Sequence, residues 1–335
     1  MGTVKVHLTF LDGSVHTGFM IDLRRVQVLR VVHHLGTVTA AAGSLHLTPS
    51  AVSQQLRVLA REVGVELLVP EGRGVRLTPA AHTLIRHADE LAARWETARA
   101  EVADEAGWTG GVLRVSGFPS SLDMVVAPAV ADLRVREPRL DVTITELETA
   151  EAFDRVLAGD VDVAVIVPNI DGPPTEDPRF EQAALLDEPQ DLLVPAGHRL
   201  AREPETTLDA AADDPWVLAA PGSCDQYELA LVACAAAGFR PTVAHEVREW
   251  AAVASLVSYG FGVALVPRFV RIPGELPVVR IPLRDGPTPR RRLLTCVRRG
   301  SAGRPPIALG LSALAAAAAS LTAEYGERHV SAAES

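Results

Sequence analysis

Residues 22–62 constrain the fold of this chain most, because each candidate helix cap there is followed by a short segment with apolar residues at helical spacing. A first helix is predicted to begin at the Asp22 cap. Thr37 is predicted to cap a short Ala-rich second helix. Thr48-Pro49 is predicted to begin a third, since Thr is a good cap and Pro fits the first helical position. Short helices joined by a tight turn predict a helix-turn-helix.

The third predicted helix has one apolar and one polar face. Val52, Leu56 and Leu59 recur at helical spacing and predict the buried face. The other face carries Ser50, Ser53, Gln54 and Arg57. In the major groove of DNA, Gln is suited to adenine and Arg to guanine or phosphate. We therefore expect this face to read base edges, and a merely solvated helix face is the alternative.

Further DNA contacts are predicted on both sides of this helix. Residues 65–77 predict a two-stranded wing with Gly72-Arg73-Gly74 as its turn. On the wing, Arg73 and Arg76 are candidates for contact with the DNA backbone or the minor groove. The helix starts are candidates for phosphate contacts through hydroxyls and backbone amides, and they contain Thr37, Thr39, Thr48 and Pro49. Helix capping alone is the alternative role for these threonines.

The net charge of −10 is unevenly distributed along the chain, which bears on nucleic-acid binding. Residues 20–80 contain seven Arg and four acidic residues, a net charge of +3. Residues 1–19 are neutral, and residues 81–109 carry three Arg against six acids, so by subtraction residues 110–335 carry −10. The acidity thus belongs to the rest of the chain, and a phosphate-binding N-terminal domain is allowed.

A long helix is predicted from Pro79 to about Glu105. Its apolar or small residues are spaced alternately four and three apart, at Leu84, Ala88, Leu91, Trp95, Ala98 and Val102. This spacing is typical of a coiled-coil seam, here about 40 Å long at ~1.5 Å per residue. We expect the seam to form a homodimer, and packing of the helix on its own domain is the alternative.

The pattern changes beyond Gly107–Gly111, where strands begin to alternate with helices. Such alternation predicts a mostly parallel α/β sheet. One strand-and-helix set spans residues 112–167 and a second spans residues 216–267. The two sets predict two lobes, one formed by residues 110–191 and 287–328 and the other by residues 192–286. The fold class is therefore α/β with an all-α, winged N-terminal part.

Two-lobed α/β folds bind ligands at the carboxyl ends of their strands, where helix N-termini supply donors to anions. In this chain that rule selects Ser116, Phe118, Ser120, Ser121, Pro168, Gly222, Ser223 and Trp250. We expect an anionic rather than a cationic metabolite, with Ser120 and Ser121 as its main donors. Ordinary turn residues, and a buried aromatic at Trp250, are the alternatives.

Composition and motifs argue against several other classes of protein. Cys224, Cys234 and Cys296 lack metal-ligand spacing, so neither a disulfide framework nor a metal site is expected. No segment reaches the roughly 18 uninterrupted apolar residues of a membrane span, so we expect a cytoplasmic protein with no membrane partner. G-x-S-x-G, phosphate-loop and H-E-x-x-H motifs are missing from the sequence, so we expect no catalytic residues and no cofactor.

Several segments resemble the LysR family of bacterial regulators. In the helix-turn-helix these are Gly36-Thr37-Val38-Thr39-Ala40-Ala41-Ala42 and Ala51-Val52-Ser53-Gln54-Gln55-Leu56, and a weaker match includes Gly159-Asp160-Val161-Asp162-Val163-Ala164. The resemblance covers all but the first 19 residues. Leu68 departs from an expected Phe of the wing, and Pro70 stands where the family often has Arg, which puts one phosphate contact in doubt.

The resemblance implies a sequence-specific, DNA-binding transcriptional regulator controlled by a small effector. It implies a winged helix-turn-helix over residues 20–79, a linker helix over 80–109 and a periplasmic-binding-protein-like effector domain over 110–328. Residues 1–19 are an extension of unknown role, and residues 329–335 are a tail. The implied partners are double-stranded operator DNA, the effector and further copies of the chain, as a homodimer and homotetramer, with RNA polymerase as a further candidate.

Two other functions stay open. One is a regulator of the same family that is switched by cysteine oxidation, because the spacing of Cys224 and Cys234 loosely resembles the cysteine pair of peroxide-sensing members. The other is a solute-binding module without a DNA function. It would account for residues 110–320 but not for the predicted winged helix-turn-helix in residues 20–80.

Overall fold

A computed structural model describes residues 22–71, 74–108, 110–168, 172–221, 226–284 and 288–333. The predicted N-terminal extension, residues 1–19, lies outside these ranges. The chain divides into two compact units, residues 1–92 and residues 93–335. The predicted linker helix is therefore shared between the two units.

The N-terminal unit contains three helices followed by a two-stranded wing. Its elements are α1 (Leu23–Leu35), α2 (Val38–Ser44), α3 (Pro49–Val63), β1 (Leu68–Glu71) and β2 (Gly74–Leu77). α1 begins where the Asp22 carboxylate accepts a hydrogen bond from the Arg24 amide at 2.9 Å. It ends at Gly36, whose φ of 71° is the left-handed conformation that glycine adopts without strain. β1 and β2 pair antiparallel, as the wing prediction requires.

α4 (Pro79–Glu105) is a single helix that contributes residues to both units. In the N-terminal unit its Ala81, Ile85 and Ala88 are buried in one core with residues of α1, α2 and α3. In the second unit its buried Glu96 pairs with Arg298 and Arg304, at 3.5 and 3.7 Å. One side of α4 is therefore held by intramolecular packing along much of its length.

Lobe one of the second unit is built on five strands in the order β6-β11-β5-β3-β4. The strands are β3 (Gly111–Gly117), β4 (Leu140–Glu146), β5 (Val163–Ile166), β6 (Phe180–Pro195) and β11 (Arg290–Arg298). β4, β3 and β5 run parallel, whereas β11 runs antiparallel to β5 and β6. The helices of this lobe are α5 (Pro119–Ser121), a π-helical turn (Leu122–Val126), α6 (Ala127–Arg136), α7 (Thr149–Ala158) and α10 (Pro305–Ala333).

Lobe two uses the second half of β6, which pairs with β9 and β10. Its strands are β7 (Pro215–Leu218), β8 (Thr242–Glu246), β9 (Ala264–Pro267) and β10 (Val278–Pro282), and its helices are a 3-10 turn (Leu208–Ala211), α8 (Gln226–Ala236) and α9 (Trp250–Ser258). Consecutive residues of β6 enter different cores: Leu192 packs with Trp216, and Leu193 packs with Val253. This alternation is the period of a strand that is buried on both faces.

One helix among the described residues, Pro305–Tyr325 within α10, is long and apolar enough to cross a membrane by length and composition. Its Ile307, Leu314 and Ala318 are buried in the core of lobe one, against the sheet and α6. The core helix of an α/β domain has this composition because it buries one face against a sheet. Packing thus accounts for the apolar residues of that face, whereas Ala315, Ala316 and Ala319 of the same helix are exposed.

Candidate DNA-reading helix, linker stripe and effector cavity

α3 presents a polar face to solvent over a fully apolar inner face. Val52, Leu56 and Leu59 are buried in the core of the N-terminal unit. Ser50, Gln54 and Arg57 on the other face are exposed, and Ser53 is half-buried. Because the inner face holds the helix against α1 and α2, the outer side chains are presented on a rigid element, which suits the reading of base edges.

The described side chains predicted to contact phosphate have local hydrogen-bond or ion-pair partners. The Thr37 hydroxyl accepts a hydrogen bond from the Ala40 amide at 3.1 Å, and the Thr48 hydroxyl accepts one from the Ala51 amide at 3.2 Å. Both hydroxyls therefore cap helices, although they remain exposed. Arg76 pairs with Glu71 across the wing at 3.1 Å, and Arg73 lies outside the described residues.

The predicted seam on α4 is free over only part of its length. Ala88 is buried and Leu84 packs against the core of the N-terminal unit, so intramolecular packing removes Ala88 from the exposed stripe. Leu91, Trp95 and Val102 are 55, 65 and 66% exposed. Together with Ala98 these residues form the linker stripe, an apolar sector of α4 that differs from its packed side.

A cavity of about 490 Å³, including its open mouth, lies between the two lobes of the second unit. Its lobe-one wall follows the carboxyl ends of β3, β4 and β5, and its lobe-two wall comes from the starts of α8 and α9. The described lining residues are Phe118, Pro119, Ser120, Glu148, Val167, Gln226, Arg248, Glu249, Trp250 and Arg291. Parallel strands end at one edge of a sheet, so residues that are distant in sequence converge there.

Three of the predicted effector residues line this cavity: Phe118, Ser120 and Trp250. Ser121 does not, because its fully buried hydroxyl donates a 2.8 Å hydrogen bond to the Phe118 carbonyl. Ser116 is fully buried within β3. The structure therefore removes Ser116 and Ser121 from the predicted side-chain donors. Pro168 is exposed beside Val167, and Gly222 and Ser223 lie outside the described residues.

Arg291 is the main cavity residue that the sequence reasoning missed. Its guanidinium donates to the Glu188 carboxylate at 2.7 and 3.0 Å and to the Ser120 hydroxyl at 3.2 Å. It also lies over the Phe118 ring, 5.3 Å from the centroid. The Arg291 and Glu188 side chains are only 6 and 0% exposed, so this is a buried pair that orients Ser120.

A second ion pair joins the two lobes at the cavity. Arg248, in the segment before α9, donates to Glu148, which precedes α7. Both side chains are partly exposed, so solvent screens their attraction. The pair joins residues that are far apart in the sequence, and no local motif marks either of them.

The described cysteines are poor candidates for redox chemistry. Cys234 is fully buried in the core of lobe two, and burial raises the pKa of its thiol to about 12. Burial likewise raises the pKa of Cys296 to about 12. A thiol reacts as its thiolate, so these values disfavour oxidation. Cys224 lies outside the described residues. Among the described residues, no group of three or more His, Cys, Asp or Glu side chains is placed to hold a metal ion.

Comparison with known families matches both units. Residues 23–82 match the bacterial regulatory helix-turn-helix of the LysR family, and residues 107–319 match the LysR substrate binding domain. The chain belongs to the LysR family. It is a transcriptional regulator with a helix-turn-helix DNA-binding domain and a two-lobed α/β effector-binding domain.

Individual relatives agree with this assignment to the LysR family. The small neutral protease regulatory protein of Streptomyces coelicolor is 31% identical, over 88% of this chain and 93% of its own. A probable hydrogen peroxide-inducible genes activator of Mycobacterium avium is 30% identical, over 79% and 84%. The structure of full-length OxyR from Pseudomonas aeruginosa covers 88% of this chain and 98% of its own, with a TM-score of 0.59 at 19% identity. That likeness concerns the fold alone.

Proposed function

We propose that this LysR-family regulator reads its operator with the outer face of α3. The observation that carries the proposal is the exposure of Gln54 and Arg57 above a buried inner face. Gln54 is assigned to adenine and Arg57 to guanine or phosphate, with Ser50 and Ser53 as shorter contacts. The wing arginines and the helix starts, including Thr39 and Pro49, are assigned to the DNA backbone.

Selection of duplexes by the full-length chain from a random library tests this assignment. Arg57→Ala should cost about 1–3 kcal/mol on the selected site and relax preference at one position of each half-site. Arg86→Ala, which removes one exposed charge from α4 in the same unit, serves as the charge-matched control. If both variants lose equal affinity on selected and random duplexes, α3 does not read bases through Arg57.

We propose that a small metabolite with an anionic group binds in the cavity between the lobes. Ser120 supplies a hydroxyl that Arg291 holds in place, and Arg248 supplies a guanidinium at the cavity wall. Glu148 engages only one nitrogen of Arg248, and a guanidinium has five N–H donors. An anion at Arg248 would compete with Glu148, so binding would bias how the lobes are joined.

Thermal-shift screening of the full-length protein against a metabolite library identifies binders for this site. Ser120→Ala should weaken binding of the effector at least about tenfold, because a hydrogen bond to a charged group is lost. Ser312→Ala removes an exposed hydroxyl from α10 and should leave binding unchanged. Equal affinity for all three proteins would place the effector elsewhere.

We propose that the linker stripe pairs two chains, and that two such dimers form a tetramer. An exposed Leu, Trp and Val on one helix favour burial against a second copy, and a two-fold dimer fits a palindromic operator. We place the regulator in the bacterial cytoplasm, without enzymatic activity. RNA polymerase is a further candidate partner.

A further inference from the structure

We propose a second ligand site, at the junction of α4 with lobe one, that binds a tetrahedral oxyanion: inorganic phosphate, sulfate or a phosphate monoester. None of its residues is among the described residues that line the cavity between the lobes. Three guanidiniums lie 3.5–3.7 Å from the carboxylate of Glu96 at this junction, and they belong to Arg99, Arg298 and Arg304. Arg99 is on α4, Arg298 ends β11, and Arg304 directly precedes α10. The junction thus brings together donors from the linker helix and from lobe one.

The three guanidiniums contact Glu96 only loosely. Their N···O distances to the carboxylate are longer than the ~2.7–2.9 Å of a hydrogen bond between charged groups. Among the described residues, none of these guanidiniums donates a hydrogen bond to a protein acceptor. A guanidinium has five N–H donors, and donors that are partly removed from water without an acceptor are unfavourable. The junction therefore offers many N–H donors to few acceptors.

The directly paired network at the junction is positive. Asp162 is its second carboxylate, 4.0 Å from Arg304 and 3.4 Å from Arg114. Four guanidiniums against two carboxylates give a net charge of +2. Glu181, which accepts the Gly300 amide at 2.6 Å, reduces this charge to +1 when it is included. The network therefore attracts an anion.

The electrostatics of Arg304 point to the same occupant. Burial and the neighbouring charges of Arg99 and Arg298 lower the pKa of Arg304, although Glu96 and Asp162 act in the opposite direction. The two carboxylates thus do not offset the desolvation and the mutual repulsion of the guanidiniums. An additional anion would stabilise the charged form of Arg304.

The guanidiniums can be reached from solvent. The Arg99, Arg298 and Arg304 side chains are 46, 20 and 21% exposed. A tetrahedral oxyanion accepts hydrogen bonds on several sides, so it can bind donors from three elements at once, and arginine is well suited to phosphate geometry. Because the donors come from both α4 and lobe one, a bound oxyanion should stabilise the packing of the linker helix on lobe one.

Calorimetric titration of the full-length protein with sodium phosphate at constant ionic strength tests the site. The measurement is made at about pH 7.5, where a phosphate monoester is mostly doubly charged. Phosphate should bind, and acetate, a planar anion of one charge, should bind at least about tenfold more weakly. β-Glycerol phosphate is the second arm. Its binding would indicate that the site accepts an esterified phosphate, whereas binding of phosphate alone would indicate the free ion.

Variants locate the phosphate at the junction. Arg99→Gln should weaken its binding at least about tenfold, because a hydrogen bond between charged groups is lost. Arg94→Gln removes an exposed arginine from the same helix and should leave the affinity unchanged. Arg57→Gln on α3 and Arg248→Gln at the effector cavity should also leave it unchanged. These two controls separate the junction from phosphate bound at the other proposed anion sites.

Glu96→Gln distinguishes a ligand site from a network that only holds α4 in place. Loss of this carboxylate, which competes with the ligand, should strengthen phosphate binding about fivefold, the effect of one unit charge about 4 Å away in water. The variant should unfold at a lower temperature than the parent, and phosphate should restore most of that loss. Without an anion site, the loss of stability would persist in phosphate. Circular dichroism verifies that each variant is folded.

The inference is overturned if phosphate, sulfate and β-glycerol phosphate all fail to bind at up to about 10 mM. It is equally overturned if acetate binds as well as phosphate, or if Arg99→Gln binds phosphate as tightly as the parent. Loss of binding in Arg57→Gln or Arg248→Gln, with Arg99→Gln unaffected, would place the anion at the reading helix or in the cavity. None of these failures removes the proposed effector site, because the junction shares no residue with its lining.

Discussion

Replacing Gly300 by alanine should destabilise the effector-binding unit through a clash with the linker helix. Gly300 follows β11 with a φ of +82°. An added Cβ would overlap the backbone oxygen of Ala93 in α4 and lie 2.9 Å from the Thr97 hydroxyl oxygen. Gly260 has nearly the same backbone conformation, with a φ of +78°, but nothing lies within 4 Å of its added Cβ. The two glycines are therefore a matched pair that differ in space and not in backbone strain.

The expected magnitudes follow from this comparison. An L-residue in the left-handed conformation costs about 1–2 kcal/mol, so Gly260→Ala should lower the free energy of unfolding by that amount. Gly300→Ala carries the same strain plus overpacking against a backbone atom, which adds about 1–3 kcal/mol. Its total cost should be about 2–5 kcal/mol, because the backbone of a helix does not move aside as a flexible side chain does.

Urea denaturation followed by tryptophan fluorescence measures both costs in the full-length protein. The four tryptophans, Trp95, Trp108, Trp216 and Trp250, all belong to the unit that contains both glycines. The signal therefore reports that unit and, through Trp95, the proposed pairing of chains at the linker stripe, so both variants are compared at one protein concentration. If the two variants differ by less than about 0.5 kcal/mol, the close approach of Gly300 to α4 does not exist in solution.

Three further outcomes are expected. Cys234 and Cys296, with pKa values of about 12, should be ionised in only about one molecule in ten thousand at pH 8. Mass spectrometry should therefore find both thiols unalkylated in the native protein, and rapid labelling would contradict their burial. Arg291→Met should lower the free energy of unfolding by about 3–5 kcal/mol, because it leaves the buried Glu188 carboxylate without its partner. Arg290→Met, whose pair with Asp187 is exposed, should lower it by less than about 1 kcal/mol. Equal losses for the two variants would contradict the burial of the Arg291–Glu188 pair. Leu91→Glu combined with Trp95→Glu should lower the oligomeric state seen by light scattering, whereas Glu101→Lys, outside the linker stripe, should leave it unchanged.

Much of the N-terminal unit follows from local sequence. The caps at Asp22, Thr37 and Thr48 begin helices at the predicted residues, because a cap depends only on the amides that follow it within the next turn. The inner face of α3 was likewise predictable, since helical periodicity alone places Val52 and Leu56 on one side. The residues of the outer face are those that this periodicity leaves on the opposite side of the helix.

The α/β unit was predictable in outline and less so in extent. Strands and helices alternate within the two predicted sets, residues 112–167 and 216–267. β6 (Phe180–Pro195), however, runs across the predicted boundary between the lobes at residue 192, and β10 lies beyond the two predicted sets. Both strands gain their definition from pairing with partners far away in the chain, and β10 is mostly half-buried with a weak apolar signal of its own.

Only the tertiary structure decided which side chains meet in the cavity. Ser120 and Ser121 are neighbours in sequence, yet one turns toward the cavity and the other toward the Phe118 carbonyl, because successive residues of a helix point about 100° apart. Arg291 reaches Ser120 from a strand 171 residues later. The sequence by itself determined the helix-turn-helix and the two-lobed α/β fold class, since helix caps and apolar periodicity act locally. The composition of the effector site depends on which strand ends are neighbours in the sheets, and that is set by long-range pairing.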